Sequence, residues 1–493
     1  MPLIRQSIET RSSAPILWWG DYVDFGDFST AVSDSREDVD SEAIFSFFVR
    51  DLSVHHRDRY PYHRSYYSQR KRIRVEEIEV AFAVSAHSEK TFLKRIELEV
   101  PAEGIKFSAT FSSKNSSENI ITVNGIDVSK LIRGYEIERI NPRLFTHPIF
   151  VSKSKDTSAP AKRYMHHNMV FSEALERVLQ ASTPNNLSDE TIQREVRRIF
   201  TSDNLSDETL NSFERLTNTK AFKRLYAQIR EQPTADTSSN IRTLFNMARS
   251  FTLLEILEEE LTDYFLGVGY IGPARAAGER FYRKQELEVS EISSDGRNFP
   301  MFLASLTPTR LSQFSQWVEN IFGYGIELGS SGGHISINLR AGSRTVNVTD
   351  TGYGVSQILP VLGMIWWASI RRGDRHSNLR GSFSSQTLAI EQPELHLHPA
   401  HQAKLADVFA GAIQQSEKEG RRTNVRLVVE THSEALINRL GELIEDGTIS
   451  HNDVQIVIFS AEDDINSPTK VTLAEFDQEG VLNNWPFGFF NYS

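Results

Sequence analysis

The chain has 493 residues, of which 39% are hydrophobic, 10% aromatic and 24% charged, so it can bury a core and is not globally disordered. With 54 Lys and Arg against 65 Asp and Glu the net charge is -11, which argues against holding a polyanion by bulk charge and leaves only a local basic patch open. There is no cysteine, which excludes disulfides, thiolate metal sites, iron–sulfur clusters and a cysteine nucleophile. Met1 to Arg11 is polar and carries Glu9, unlike a secretory signal. The longest apolar run, Ile358 to Ile370, is interrupted by Pro360 and Gly363 and falls short of the roughly 20 residues of a span. The expectation is a soluble cytoplasmic protein with no membrane partner.

Taken in chain order, residues 1–158 read as β-rich. Ile78–Val84, Phe92–Val100, Ile105–Phe111 and Ile120–Val123 are short and rich in β-branched residues. Ile96, Leu98 and Val100 alternate with Glu97 and Glu99, the period of a strand with one wet face, so an antiparallel meander is expected. Within this stretch, His55 to Arg74 is basic and aromatic. Arg57, Arg59, Arg64, Arg70, Lys71, Arg72 and Arg74 are interleaved with Tyr60, Tyr62, Tyr66 and Tyr67. Arginine and tyrosine together suit phosphate contact and base stacking, and DNA is the expected ligand of such a patch. A solvated hairpin loop is the competing reading.

Residues 159–266 turn helical. The sequence NLSDET occurs at Asn186–Thr191 and again at Asn204–Thr209. In each copy a serine (Ser188, Ser206) precedes two acids, which caps free amides and suits the helix dipole, so each copy is expected to start a helix. This block reads as an insertion, serving as an arm for a partner or as a lid.

Residues 267–480 alternate strands and helices. Leu388–Glu391, Val425–Thr431 and Val454–Phe459 read as apolar strands, with helices over Pro399–Gln415 and Ser433–Glu445 between them. Buried strands separated by helices predict a parallel sheet, which binds ligands at its carboxyl end. Three motifs fall there. In Leu388–Pro399 an apolar strand ends in Glu391, followed by Gln392, Pro393, Glu394 and the string His396-Leu397-His398-Pro399. An acid at that place can hold Mg²⁺ beside a nucleotide phosphate, and the next residue can position water. Val428–Ser433 ends a second strand in Thr431-His432-Ser433. Asp350–Gln357 contains Gly352, Gly354, Val355, Ser356 and Gln357 ahead of the apolar helix, an arrangement of amides and a hydroxyl suited to an anion, with capping by Ser356 as the plainer reading. Glu394, His396 and His398 are also close enough in sequence to be weighed as metal ligands, and Glu462-Asp463-Asp464 follows a strand as the acids of a TOPRIM nuclease do, with too little chain left for that domain.

Together the three motifs resemble the C-terminal lobe of ABC-type (RecF/SMC-like) AAA family ATPases, a group that includes the ATPase half of OLD proteins. The resemblance implies an α/β P-loop NTPase of ABC-like fold with a mixed sheet, an antiparallel β-rich N-terminal part, a helical insertion and a tail at 481–493. It implies ATP and Mg²⁺ as cofactors. Glu391 would serve Mg²⁺, Gln392 stands where the catalytic glutamate usually is, either Glu394 or Glu430 would share the work, and His432 would be the switch residue. Gly352 and Gly354–Gln357 would touch the γ-phosphate held by the other protomer of a homodimer. Tyr270–Arg275 and Trp485–Phe490 also look like this family. The implied roles are DNA repair or phage defence, with a nuclease or other effector as partner. The chain departs from the family in two ways: Gln392 cannot accept a proton as a carboxylate would, and no G-x-x-x-x-G-K-[ST] occurs. Leu3–Ile8 resembles the tail of the helix that follows the P-loop, so a Walker A segment is expected upstream. The alternative is a degenerate, non-catalytic scaffold that recruits an effector.

Overall fold

The computed structural model describes residues 1–32, 41–57, 70–87, 90–139, 143–152, 164–184, 187–285, 289–370, 386–418, 425–460 and 469–485. The chain forms two compact units. One comprises Ser7–Trp18 and Phe25–Asp263, and the other Met1–Gln6, Trp19–Asp24 and Tyr264–Ser493. The β-rich segment 1–158 and the helical segment 159–266 thus fall largely within a single unit.

In that unit a six-stranded antiparallel meander runs through Glu42–Arg57, Arg70–His87, Lys90–Val100, Ile105–Thr110, Ile120–Val123 and Ile126–Asp127, each strand pairing with the next. The alternation read from the sequence is the cause. Ile96, Leu98 and Val100 are fully buried, while the glutamates between them are not. The helices that follow start where the repeat predicts. Asp189–Thr201 is capped by Ser188, whose hydroxyl accepts from Thr191 N–H, and Asp207–Leu216 is capped by Ser206 from Thr209 N–H. Both copies carry their two acids in the first turn. The apolar stripe of each helix is buried, and Glu195 is buried with it, accepting from Tyr226 Oη at 2.7 Å and Thr217 Oγ1 at 3.2 Å, with Arg198 as its ion partner. A 31-residue helix, Asp236–Leu266, closes the segment.

The second unit holds a three-stranded parallel sheet in the order Gly269–Ile271, Gln386–Glu391, Val425–Glu430. The helices Pro399–Lys418 and Glu434–Glu445 follow its second and third strands. Two sequence readings are corrected here. Val454–Phe459 does not join the parallel sheet. Its strand, Ile456–Ser460, pairs antiparallel with Lys470–Phe476, and only Ile458 of the strand is buried, so it needs cover on one face alone. The Val425–Glu430 strand is buried at Val425 and half-exposed further along, with Val428 49% exposed, because it is the sheet's edge among the described residues.

The apolar helix is Tyr353–Ile370, 18 residues long, so length and composition alone would let it cross a membrane. It is instead a core helix, 61% buried. Ile358, Leu359, Val361, Leu362 and Ile365 lie in one cluster with Phe299, Phe302, Phe314 and Leu388. Gly363 lets it approach Phe299, whose ring would stand 2.6 Å from any Cβ placed there.

Candidate active site

The carboxyl end of the parallel sheet gathers the predicted residues. Register places Glu391 directly beside Glu430, and Ile271 beside Ile390. Past the strand, Gln392 N–H donates to Glu430 O at 2.8 Å, extending the ladder by one bond. Gln392 then takes φ +42° and His396 φ +64°, left-handed values that cost a non-glycine residue about 1 kcal/mol or more. Such a turn persists only when its surroundings fix it. Arg275 does so: its Nη2 donates to Glu391 O at 2.7 Å and to Gln392 O at 2.9 Å.

Arg275 is 4% exposed, and burial pulls its guanidinium down to about 10, opposed by the charge of Glu394. Glu394 is itself buried, and its Oε1 accepts from the backbone N–H of His432 at 2.7 Å. Nε and Nη1 of Arg275 and Oε2 of Glu394 are buried without a hydrogen-bond partner among the described residues. Glu394 therefore ties the turn after the central strand to the Thr-His-Ser segment after the edge strand. His432 and Glu391 lie at the same end of the same sheet. Ser433 caps the next helix through Leu436 N–H and donates from its hydroxyl to Gln402 Oε1 at 2.7 Å, while Gln402 Nε2 donates to Leu397 O at 3.0 Å.

Glu391 is half-buried, and Tyr270 Oη donates to its Oε1 at 3.1 Å. Burial holds its carboxyl above the usual carboxylate range, the Tyr270 hydrogen bond opposes this, and the charge of Glu430 adds to it. Burial and the charge of Glu391 push the Tyr270 hydroxyl up in turn. Glu391 and Glu430, side by side at the carboxyl end of the sheet, offer carboxylate oxygens, the donor type of a hard divalent cation such as Mg²⁺.

The glycine motif packs beside this turn. Gly352 has φ +100°, and the helix begins at Tyr353. Ser356 is therefore inside the first turn, not its cap, and its hydroxyl donates to Tyr353 O at 2.8 Å. A Cβ on Gly354 would collide with the His396 carbonyl, 3.0 Å from its carbon. Only glycine allows this approach, which sets the Tyr353 ring edge-on to the His396 ring at 4.9 Å. Gln357 is buried and donates from Nε2 to Ala276 O at 2.9 Å. Val355 and Ser356 are half-buried, and Ser356 fits against Gly278.

Glu394, His396 and His398 do not converge on a metal position, among the described residues. Their side chains face His432 N–H, Tyr353 and Ala400 N–H respectively. Of the basic run, Arg59, Arg64 and the four tyrosines lie outside the described residues, as do the Glu462–Asp464 acids and Pro486–Phe490. Arg57 pairs with Arg70, and His56 with Lys71, across the hairpin. Arg72 and Arg74 are exposed on the second strand, and Arg72 Nε donates to Ser53 Oγ at 3.2 Å. Arg275 and Tyr270 lie in a segment whose family likeness was visible but whose role was not, since that role depends on contacts more than 110 residues away.

The chain matches the AAA ATPase domain family over residues 66–437. It belongs to that family, and its fold is mixed α/β with an antiparallel β-rich part towards the N-terminus. Solved structures with detectable likeness include ATPase heads of SMC proteins. One, described in work on ATP-driven dimerization and DNA-stimulated activation of SMC ATPases, is 14% identical and covers 34% of this chain and 85% of that one, with a TM-score of 0.22. Another, the Pyrococcus furiosus Smc head bound to the C-terminal domain of ScpA, is 9% identical and covers 81% of this chain and 77% of that one, with a TM-score of 0.24. A search of curated proteins gave no match.

Proposed function

We propose that this protein binds and hydrolyses ATP at the carboxyl end of its parallel sheet, and that two copies close around the nucleotide. One observation carries the reading. Glu391, Gln392, Glu394 and His432 leave two neighbouring strands into one hydrogen-bonded turn, with the Gly354 motif packed against the same turn. Glu391, with Glu430 beside it, would hold Mg²⁺, which supplies charge neutralisation to the phosphates when bound. Gln392 is placed to orient water through its amide, and His432 to meet the terminal phosphate. A glutamine orients water without removing its proton, so turnover is slow. Gly352, Gly354, Val355, Ser356 and Gln357 would present amides and a hydroxyl to the nucleotide of the second copy. Closure is then a population shift, sized by the difference in ATP affinity between the open and closed states.

Dimerisation, the DNA-facing role of Arg72 and Arg74, and work in DNA repair or phage defence with a nuclease partner belong to the same proposal. Sedimentation of protein expressed from its full reading frame tests the core of it. One mass without nucleotide and twice that mass with MgATP supports it. A single mass in both conditions, with no ATP retained, overturns it.

A further inference from the structure

A second polar cluster lies in the unit of the β-meander, built from three segments that are distant in sequence. His147 lies in the turn before the strand Ile149–Ser152. His166 and His167 stand at the start of the helix His167–Ser182. Glu255 and Glu258 lie on one face of the long helix Asp236–Leu266, three residues apart. Glu255 Oε1 is 3.5 Å from His167 Nδ1 and 3.9 Å from His147 Nε2. One ligand atom from each of His147, His167 and Glu255 lies within 4.8 Å of the others. His167 is 3% exposed and lies tilted against Phe251, with ring centroids 5.2 Å apart, while Glu255 and His147 are about one-quarter exposed.

The hydrogen bonds assign the ring nitrogens. His147 Nδ1 lies 2.9 Å from Glu258 Oε2. A carboxylate only accepts, so Nδ1 carries a proton, and Nε2 is the ring nitrogen left facing Glu255. This is the carboxylate–histidine arrangement that orients metal-binding imidazoles and raises their basicity. His166 differs. Its Nδ1 accepts from Asn168 N–H at 3.3 Å, so its proton is on Nε2, which faces Glu255 Oε1 at 3.8 Å. His166 therefore turns an N–H, and no lone pair, towards the cluster's carboxylate and is not a ligand.

We propose that His147 Nε2, His167 Nδ1 and Glu255 form a binding site for a first-row divalent transition metal. The donor set is two imidazoles and one carboxylate, which suits zinc and its neighbours and not Mg²⁺ or Ca²⁺, whose ligands are oxygens. Three protein ligands leave a fourth position for water. Tetrahedral zinc needs ligand atoms about 3.3 Å apart, so the triangle closes by less than about 1.5 Å on any side. Glu258 acts through His147 as a positioning residue. The bound ion would join the His147 turn, the start of one helix and the middle of another. This site is separate from the nucleotide reading and does not depend on it.

The test uses the full chain, freed of metal with EDTA and titrated with Zn²⁺ by calorimetry, with Co²⁺ absorption as a second readout. The expected result is one equivalent of Zn²⁺, visible d–d bands with Co²⁺, and a Zn²⁺-dependent rise in melting temperature. Glu255→Gln and His147→Asn should each weaken binding at least tenfold and abolish the rise. Glu258→Gln should weaken it by about 10- to 100-fold. His334→Asn, an exposed histidine at the start of the strand His334–Ala341, should leave the stoichiometry at one. The proposal is overturned if the wild-type chain takes up no equivalent, or if that equivalent survives in both Glu255→Gln and His147→Asn. The wild-type titration and the Co²⁺ spectrum decide it even where a variant fails to fold.

Discussion

Arg275 offers a separation of stability from turnover. Replacing it with methionine keeps most of the buried volume and removes both hydrogen bonds to the carbonyls of Glu391 and Gln392. Each charge-assisted bond is worth about 1.5–3 kcal/mol, so about 3–6 kcal/mol is lost. Against this, burial disfavours the charged guanidinium. The fall from 12.5 to about 10 corresponds to about 3 kcal/mol, and methionine carries no such penalty. The two largely cancel, and Arg275→Met should lower stability by no more than about 3 kcal/mol. The turn is affected differently. Gln392 is held at φ +42°, and without Arg275 it relaxes towards ordinary backbone, carrying its amide away from the strand end. A displacement of about 1 Å at a reacting centre costs about 100-fold in rate. The expected outcome is a small drop in melting temperature with a kcat about 100-fold lower. Arg275→Lys should regain stability but little rate, because a single ammonium lacks the planar fork that reaches both carbonyls. Melting curves and steady-state MgATP hydrolysis measure both. A kcat within threefold of wild type in Arg275→Met would refute the reasoning.

Gln392→Glu should raise kcat at least tenfold by supplying a carboxylate as general base, read in the same hydrolysis assay. Gly354→Ala forces a Cβ against the His396 carbonyl, which cannot rotate away, so chemical denaturation should show a loss of about 1–3 kcal/mol. Glu195→Ala strands Arg198, Tyr226 and Thr217 in the helical segment and should cost about 3–5 kcal/mol, with Tyr226→Phe costing about 1 kcal/mol by the same denaturation measurement. Alanine at Ser188 or at Ser206 should cost about 1 kcal/mol each, additively, because the two caps serve different helices.

The parts legible in the sequence were those fixed by near neighbours. Alternation in Ile96–Val100 marks a half-buried strand, and Ser188 and Ser206 with their following acids mark helix starts. The string from Leu388 to Pro399 announces a strand ending in a turn, because its apolar run and its proline act locally. Ile456–Ser460 was misplaced because a short apolar run does not say whether one face or both are covered. Ser356 looked like a cap because Gly352 and Gly354 obscure where helical backbone begins, and the chain turns helical three residues earlier. Arg275 and the His147–His167–Glu255 cluster were not readable. Each depends on a contact that spans more than 80 residues, and a single arginine or a His-His pair carries no spacing that names its partner.

Turnover of MgATP by Glu391→Gln, set beside the wild-type protein from the same full reading frame, tests the central claim most directly. The substitution keeps shape and the Tyr270 contact and removes the charge next to Glu430. If Glu391 holds the metal, hydrolysis falls at least 100-fold while the fold stays intact. Hydrolysis at the wild-type rate in Glu391→Gln would place the chemistry elsewhere.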